Sequence, residues 1–253
     1  MKIAITGKGG VGKTTIASLL ANAWAQAGYK VLAIDADPVA SLAQALGFPQ
    51  PDKIVPLSEM AELVTERTGA QPGTLGQMFK LNPKVDDLPE KIAHQHNGIR
   101  LIVMGGIKTG GSGCVCPASS LIKSLISHLL LGPDERVIID MEAGIEHLGR
   151  ATAEAVNRMI ITVEPGQRSI QTARRIKTLA GQIGIKSIAA IANKVRSHQD
   201  KQFILNYLDK IRLIGTIPFS DSIRELDQTG NSAPESSILK EIKSILEQLE
   251  QDK

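Results

Sequence analysis

The sequence is poor in aromatic residues: 3% of its 253 residues are Phe, Trp or Tyr, with a single tryptophan. The core must therefore be built from aliphatic side chains. Only two cysteines occur, too few for a disulfide framework in a chain of this length, and a reducing cytoplasm is the expected compartment. No apolar run approaches the roughly 18 residues of a membrane span. The start, MKIAITGKGG, lacks the apolar segment of a signal peptide. Charge of one sign is scarce too. A formal net charge of +3 gives no ground for a nucleic-acid or membrane partner, and neither is expected. We find no internal repeat and no low-complexity tract.

What is present is alternation. Strand-like runs, KIAIT, KVLAID, GIRLIVMGG, ERVIIDME, RMIITVEP, SIAAIANKV and IRLIGTIP, recur between helical stretches. Most are continuously apolar, as in strands buried on both faces. TTIASLLANAWAQAG carries Ile16, Leu19, Leu20 and Ala23 on one face and closes on Gly28. Such alternation predicts βαβ units: an α/β fold with a mostly parallel sheet flanked by helices. The chain reads as a single domain over 1–253. An irregular insertion on the sheet, with several Pro and Gly residues and mixed short helices, covers about 49–97, and a C-terminal helix about 235–251.

GKGGVGKTT, Gly7 to Thr15, fits G-x-x-x-x-G-K-[ST] and lies between the first strand and the first helix. Glycines at these positions let the amides of Gly9, Gly10, Val11, Gly12, Lys13, Thr14 and Thr15 close around phosphate oxygens, aided by the helix N-terminus. Lys13 would reach the β and γ phosphates, and Thr14 would ligate Mg²⁺. A second lysine inside the loop, Lys8, gives the deviant Walker A pattern. It resembles the group that holds septum-site and chromosome-partition ATPases, the nitrogenase iron protein and metal-handling ATPases. The resemblance implies a P-loop NTPase that dimerises, with Lys8 crossing to the partner's nucleotide as an arginine finger does. It also gives Asp37 of IDADP the orientation of the attacking water, Asp140 of VIIDMEAG the Walker B role and Gly144 that of a switch glycine. Asp35 would support the Mg²⁺ shell. The plainer alternative for each aspartate is a cap or turn residue, and for Lys8 a solvated loop tip.

ANKVRS resembles the base-reading N-K-x-D motif with Arg196 in place of the aspartate. Guanine presents adjacent donors that a carboxylate accepts, and arginine has no acceptor. The amide of Asn193 can donate and accept, which suits adenine, so ATP is expected over GTP. Pro218 of GTIPFS is expected to bring backbone near the base.

Both cysteines lie in GSGCVCPAS, with Val115 between Cys114 and Cys116. A disulfide there would close a strained small ring. Two thiolates supply half of a tetrahedral metal site, and a twofold axis would complete it from a second protomer. Within one chain, His94 and His96 of HQH offer a rival Cys₂His₂ set, and two unligated thiols are the plain alternative. LNPKVDD, MGGIKTGGSGCVCP and DMEAGIEHLGRATA together look like the CooC family, the nickel-insertion ATPases that mature carbon monoxide dehydrogenase. That resemblance runs from Lys2 to about Pro218. It implies Cys114 and Cys116 as ligands of a metal shared in a homodimer, ATP hydrolysis linked to nickel delivery, and a nickel–iron–sulfur enzyme as client. Thiolate tetrahedra favour zinc, and nickel(II) more often takes planar geometry, so the metal stays open between the two. A septum-site or partition-type positioning ATPase, switching on DNA or a partner protein, is the alternative. The tail ESSILKEIKSILEQLEQDK has five acidic residues against three basic, the wrong sign for anionic lipid. ARRIK, with Arg174, Arg175 and Lys177, is the one basic cluster.

Overall fold

The computed structural model describes residues 1–71, 77–105, 116–129, 131–142, 155–229 and 234–251, without the side chains at 116 and 226–229. Eight strands form one sheet: β1 (Lys2–Gly7), β2 (Lys30–Asp35), β3 (His94–His96), β4 (Ile99–Val103), β5 (Glu135–Asp140), β6 (Arg158–Val163), β7 (Ile188–Val195) and β8 (Arg212–Pro218). Their order is β3-β4-β2-β5-β1-β6-β7-β8. Every neighbouring pair is parallel except β3 with β4. The expected mostly parallel α/β sheet is what the chain forms.

Nine helices are described: α1 (Lys13–Gln26), α2 (Leu42–Ala45), α3 (Ala61–Thr68), α4 (Leu88–Ile92), α5 (Cys116–His128), α6 (Gln167–Gln182), α7 (His198–Tyr207), α8 (Asp221–Thr229) and α9 (Ser236–Gln251). Because strand side chains alternate, the buried aliphatic runs feed two cores. Ile3, Ile5, Val31 and Ala33 face α1, α2 and α9, while Ala4, Leu32 and Ile34 face α3, α5, α6 and α7. α1 is buried on more than one side. Its largest contribution is Trp24, fully buried, rather than the half-buried Ala23. Its end is a Schellman turn, with Tyr29 N–H bonded to Trp24 O at 3.0 Å beyond a left-handed Gly28. In α9 the stripe Ile238, Ile242, Ile245 and Leu249 is buried in the α1-side core, so this face packs on the sheet and offers nothing to a lipid surface.

The irregular stretch contains the short helices expected of it. Two 3₁₀ turns, Pro51–Lys53 and Leu57–Glu59, lead into α3, and α4 follows. Leu57, Val64, Val85 and Leu88 are buried with Ala118 and Leu121 of α5. At its end lies β3, a strand the apolar pattern does not reveal. The signal for it was Asn97-Gly98. Both residues have positive φ, 46° and 78°, and His96 pairs directly with Ile99, the two-residue type I′ hairpin that Asn-Gly favours.

Candidate functional site: a phosphate-loop crevice

In open parallel sheets ligands sit beyond the carboxyl ends of the strands, and here the polar residues of the core gather at that end. β1 runs through Gly7 into the loop, and α1 starts at Lys13. Gly12 is left-handed at φ 90°, and a Cβ there would collide with the Asn193 side chain. Glycine is therefore required both by the turn and by the close approach of β7. Asn193, buried at the end of β7, donates from Nδ2 to Val11 O at 2.8 Å. It braces the loop as well as lining the cavity beside it. That cavity, of about 350 Å³, is walled by Lys13, Thr14, Thr15, Ser41, Lys194, Pro218, Phe219 and Arg224, among others. Its size suits a small-molecule ligand. Lys13 is buried against it.

Two carboxylates lie side by side under the loop. Asp35 of β2 and Asp140 of β5 are register partners on adjacent strands, both essentially inaccessible. Asp35 accepts from the backbone N–H groups of Asp37 (3.2 Å), Ser41 (3.0 Å) and Leu42 (2.9 Å), which fold the chain after β2 around it. Burial pushes its carboxyl up to about 6 against the pull of those three amides. Asp140 accepts from Thr14 Oγ1 at 2.6 Å through Oδ2, and Ser41 Oγ lies 3.3 Å from the same threonine hydroxyl. Burial lifts the Asp140 carboxyl to about 7. The neighbouring Asp35 adds to the rise, and the Thr14 hydroxyl and Lys13 oppose it. Asp140 Oδ1 is buried with no hydrogen-bond partner among the described residues. A buried, partnerless carboxylate oxygen beside a threonine hydroxyl is a hard-oxygen donor set that fits Mg²⁺. Asp37, half-buried, accepts from Val39 N at 2.9 Å.

Lys8 does not point away from the chain. Its Nζ pairs with Glu164 Oε1 at 3.2 Å, just past the end of β6, and donates to Gly9 O at 3.4 Å. The second oxygen of Glu164 is 3.9 Å from Lys194 Nζ, which donates to Gly10 O at 2.6 Å. Arg196 lies with its guanidinium 3.8 Å over the Phe219 ring. It presents no acceptor to the cavity wall that ring belongs to.

Of the residues anticipated from sequence, Gly10, Gly12, Lys13, Thr14, Thr15, Asn193 and Pro218 line the cavity, Asp140 is joined to it through Thr14 and Asp35 lies beside Asp140, whereas Lys8 and Asp37 are not among its wall residues. Glu164 and Ser41 were missed because only tertiary folding brings them to the loop, and Lys194, although inside the ANKVRS motif, was given no role from sequence. Gly144, Cys114 and the Cys116 side chain lie outside the described residues. The two histidines are described, and both thiols of the rival Cys₂His₂ set lie outside the described residues. His96 lies tilted against Phe48, with ring centroids 5.2 Å apart. Among the described residues no group of three or more His, Cys, Asp or Glu could hold a metal. No described helix is long and apolar enough to cross a membrane.

A parallel sheet with a glycine-rich loop between β1 and α1, and acidic residues at the ends of β2 and β5, defines a P-loop nucleotide-binding protein with ATPase architecture, of the deviant Walker A kind. The family model of the CobQ/CobB/MinD/ParA nucleotide-binding domain matches residues 2–233. The chain is 52% identical over 234 residues to the carbon monoxide dehydrogenase accessory protein CooC of Rhodospirillum rubrum, covering 92% of this chain and 89% of that one. An uncharacterized ATP-binding protein of Methanocaldococcus jannaschii is 47% identical, over 97% of this chain and 96% of its own. The chain therefore belongs to the CobQ/CobB/MinD/ParA family, in the branch that holds CooC. Among solved structures, a plasmid partition protein of Borrelia burgdorferi bound to AMPPNP superposes with a TM-score of 0.70 at 18% identity, covering 100% of this chain and 99% of that one. This corrects one expectation. Weak net charge excluded a nucleic-acid partner, but the same fold serves plasmid partition proteins, so net charge cannot support that exclusion.

Proposed function

We propose that this chain is a dimerising ATPase that acts as a metallochaperone, assisting nickel insertion into the cluster of carbon monoxide dehydrogenase or a related nickel–iron–sulfur enzyme. The observation that carries the reading is the 52% identity to CooC across 92% of the chain, together with the C-x-C pair of Cys114 and Cys116 in the sequence. In this reading Lys13 and the loop amides hold the β and γ phosphates, and Thr14 and Asp140 would hold Mg²⁺. That ion, when bound, screens the developing charge on the phosphates. Asp37 orients the attacking water. Lys8 leaves Glu164 and reaches the nucleotide of the second protomer, where its charge stabilises the departing γ-phosphoryl group. ATP is preferred to GTP because the Asn193 amide carries both donor and acceptor and Arg196 offers no acceptor. Cys114 and Cys116 of each protomer together bind the cargo metal, nickel or zinc, as a Cys₄ set on the twofold axis. The compartment is the reducing one that keeps such thiolates available.

The test is metal stoichiometry. Stripped protein titrated with nickel or zinc should bind half an equivalent per chain, and metal should promote dimerisation, since a ligand selective for the dimer stabilises it. Cys114→Ser and Cys116→Ser should each abolish tight binding, and nucleotide affinity should survive. Binding of one metal per chain, independent of protein concentration, would overturn the shared site and leave the ATPase standing. Absence of metal binding beside ATP-dependent retention on DNA would favour the positioning-ATPase reading.

A further inference from the structure

The loop lysine of the deviant motif has a partner that the motif does not contain. Glu164 lies immediately after β6, far from Lys8 in sequence, and its backbone N–H is fixed by Ser169 Oγ at 3.0 Å. Its two carboxylate oxygens face two different lysines. Oε1 takes Lys8 at 3.2 Å and Oε2 lies 3.9 Å from Lys194. Lys194 is not free to follow Lys8 away from this point. It has a left-handed backbone, φ 59°, at an irregularity in the β7–β8 pairing, and its Nζ is tied to the loop carbonyl of Gly10 at 2.6 Å. A non-glycine residue in that conformation is uncommon, and here it aims the side chain across the loop. One carboxylate thus bridges two lysines that are each held by one loop carbonyl: Lys194 by a short 2.6 Å bond to Gly10 O and Lys8 by a long 3.4 Å contact to Gly9 O.

We propose that Glu164 is a positioning residue that latches Lys8 in cis in the free chain and that Lys194 neutralises Glu164 when Lys8 departs for the partner's nucleotide. The proposal rests on the reading that Lys8 acts across the dimer interface. The latch sets the threshold for dimerisation. An unlatched Lys8 is available to a second protomer at lower nucleotide concentration, and the residual Glu164–Lys194 pair prevents the departing lysine from leaving a bare carboxylate beside the phosphates. The Lys8–Glu164 pair is part-exposed, 35% and 25%, so its strength is modest and falls with salt.

Dimer formation by the full chain should be followed by light scattering against a non-hydrolysable ATP analogue, in chelator, at low and high salt. Glu164→Gln keeps the shape and removes the charge. At low salt it should lower the analogue concentration for half-dimerisation about two- to five-fold, and the difference should shrink at high salt. In a Lys8→Ala background the same substitution should change nothing, which a double-mutant cycle reads directly. Glu164→Asp, which keeps the charge on a shorter arm, should fall between. It provides a second measure should the glutamine variant fold poorly. If Glu164→Gln and Glu164→Asp match the parent while Lys8→Ala is impaired, the latch is overturned and the trans role of Lys8 stands. If the Glu164→Gln effect persists without Lys8, the latch is likewise overturned. If Lys8→Ala dimerises and turns over like the parent, the trans reading itself falls.

Discussion

Buried charge serves opposite purposes at the two ends of the sheet. At the amino ends of the strands, the charges of Arg136 and Lys2 are bonded to groups of the chain itself. Arg136, 2% exposed, donates to Pro133 O, Glu135 O and Glu250 Oε1, and its guanidinium lies 3.8 Å over Tyr29. Lys2 Nζ is bonded to Ile126 O at 2.6 Å. At the carboxyl ends, Asp35 and Asp140 sit in register with raised pKa values, and Asp140 Oδ1 is left without a partner among the described residues. A charge whose hydrogen bonds are all made inside the chain is structural. A buried carboxylate with an oxygen to spare is held ready for a ligand, at a cost to the free protein.

That contrast can be broken at either end. The largest effect is expected at Lys13. Lys13→Ala should lower ATP turnover by about 10²–10³-fold, the scale of removing one preorganised donor from developing charge, with the denaturation midpoint close to the parent. A turnover measured per folded molecule within a few-fold of the parent would show that the carboxyl end is not catalytic in the way described. Arg136→Met should do the reverse. Removing a buried charge whose partners stay behind should cost about 2–4 kcal/mol in urea unfolding while leaving turnover of the folded protein unchanged. A loss of activity at matched folded fraction would erase the distinction between the ends.

The smallest effect sharpens the contrast, through pH. Both carboxyls titrate in the fold above the ordinary carboxylate range, near 6 for Asp35 and 7 for Asp140. A raised acid pKa means that the folded state binds protons the unfolded state has already released. Nucleotide-free stability should therefore be greatest at low pH within the native range and fall as pH rises from about 4 through about 7. Asp140→Asn removes that cost and can still accept from Thr14. It should raise nucleotide-free stability by about 1–2 kcal/mol at pH 8 and by less at pH 5. A thermal-shift difference that does not vary with pH would contradict the buried, ionisable reading of this site.

How far the sequence revealed this depends on the range of the interaction. The loop from Gly7 to Thr15 is local, and its glycine spacing with a strand before and a helix after suffices to place it. Asp35 and Asp140 end apolar runs, so their position at the crevice also follows from the pattern. β3 was missed because a three-residue strand carries no period, although Asn97-Gly98 marks its turn. Glu164 was missed for a different reason. Nothing in its neighbourhood differs from an ordinary strand end, and it acquires meaning only when β6 lands beside β1 with Lys194 across the gap. The irregular segment hid its packing in the same way: Leu57, Val64, Val85 and Leu88 are too far apart in sequence to show that they close over one helix.

Met104 joins two regions that composition treats as separate. Its N–H bonds to the carbonyl of Asp35 at 2.8 Å, and its own carbonyl accepts from Ser58 N at 3.0 Å. Asp35 is also the residue whose carboxylate gathers the chain from Asp37 to Leu42 beside the phosphate loop. Ten positions beyond Met104 the chain reaches Cys114. In mechanical terms the end of β2 and the turn at Ser58 share a hinge pin in Met104: a shift in the Asp35 peptide must either carry Met104 with it or break that bond.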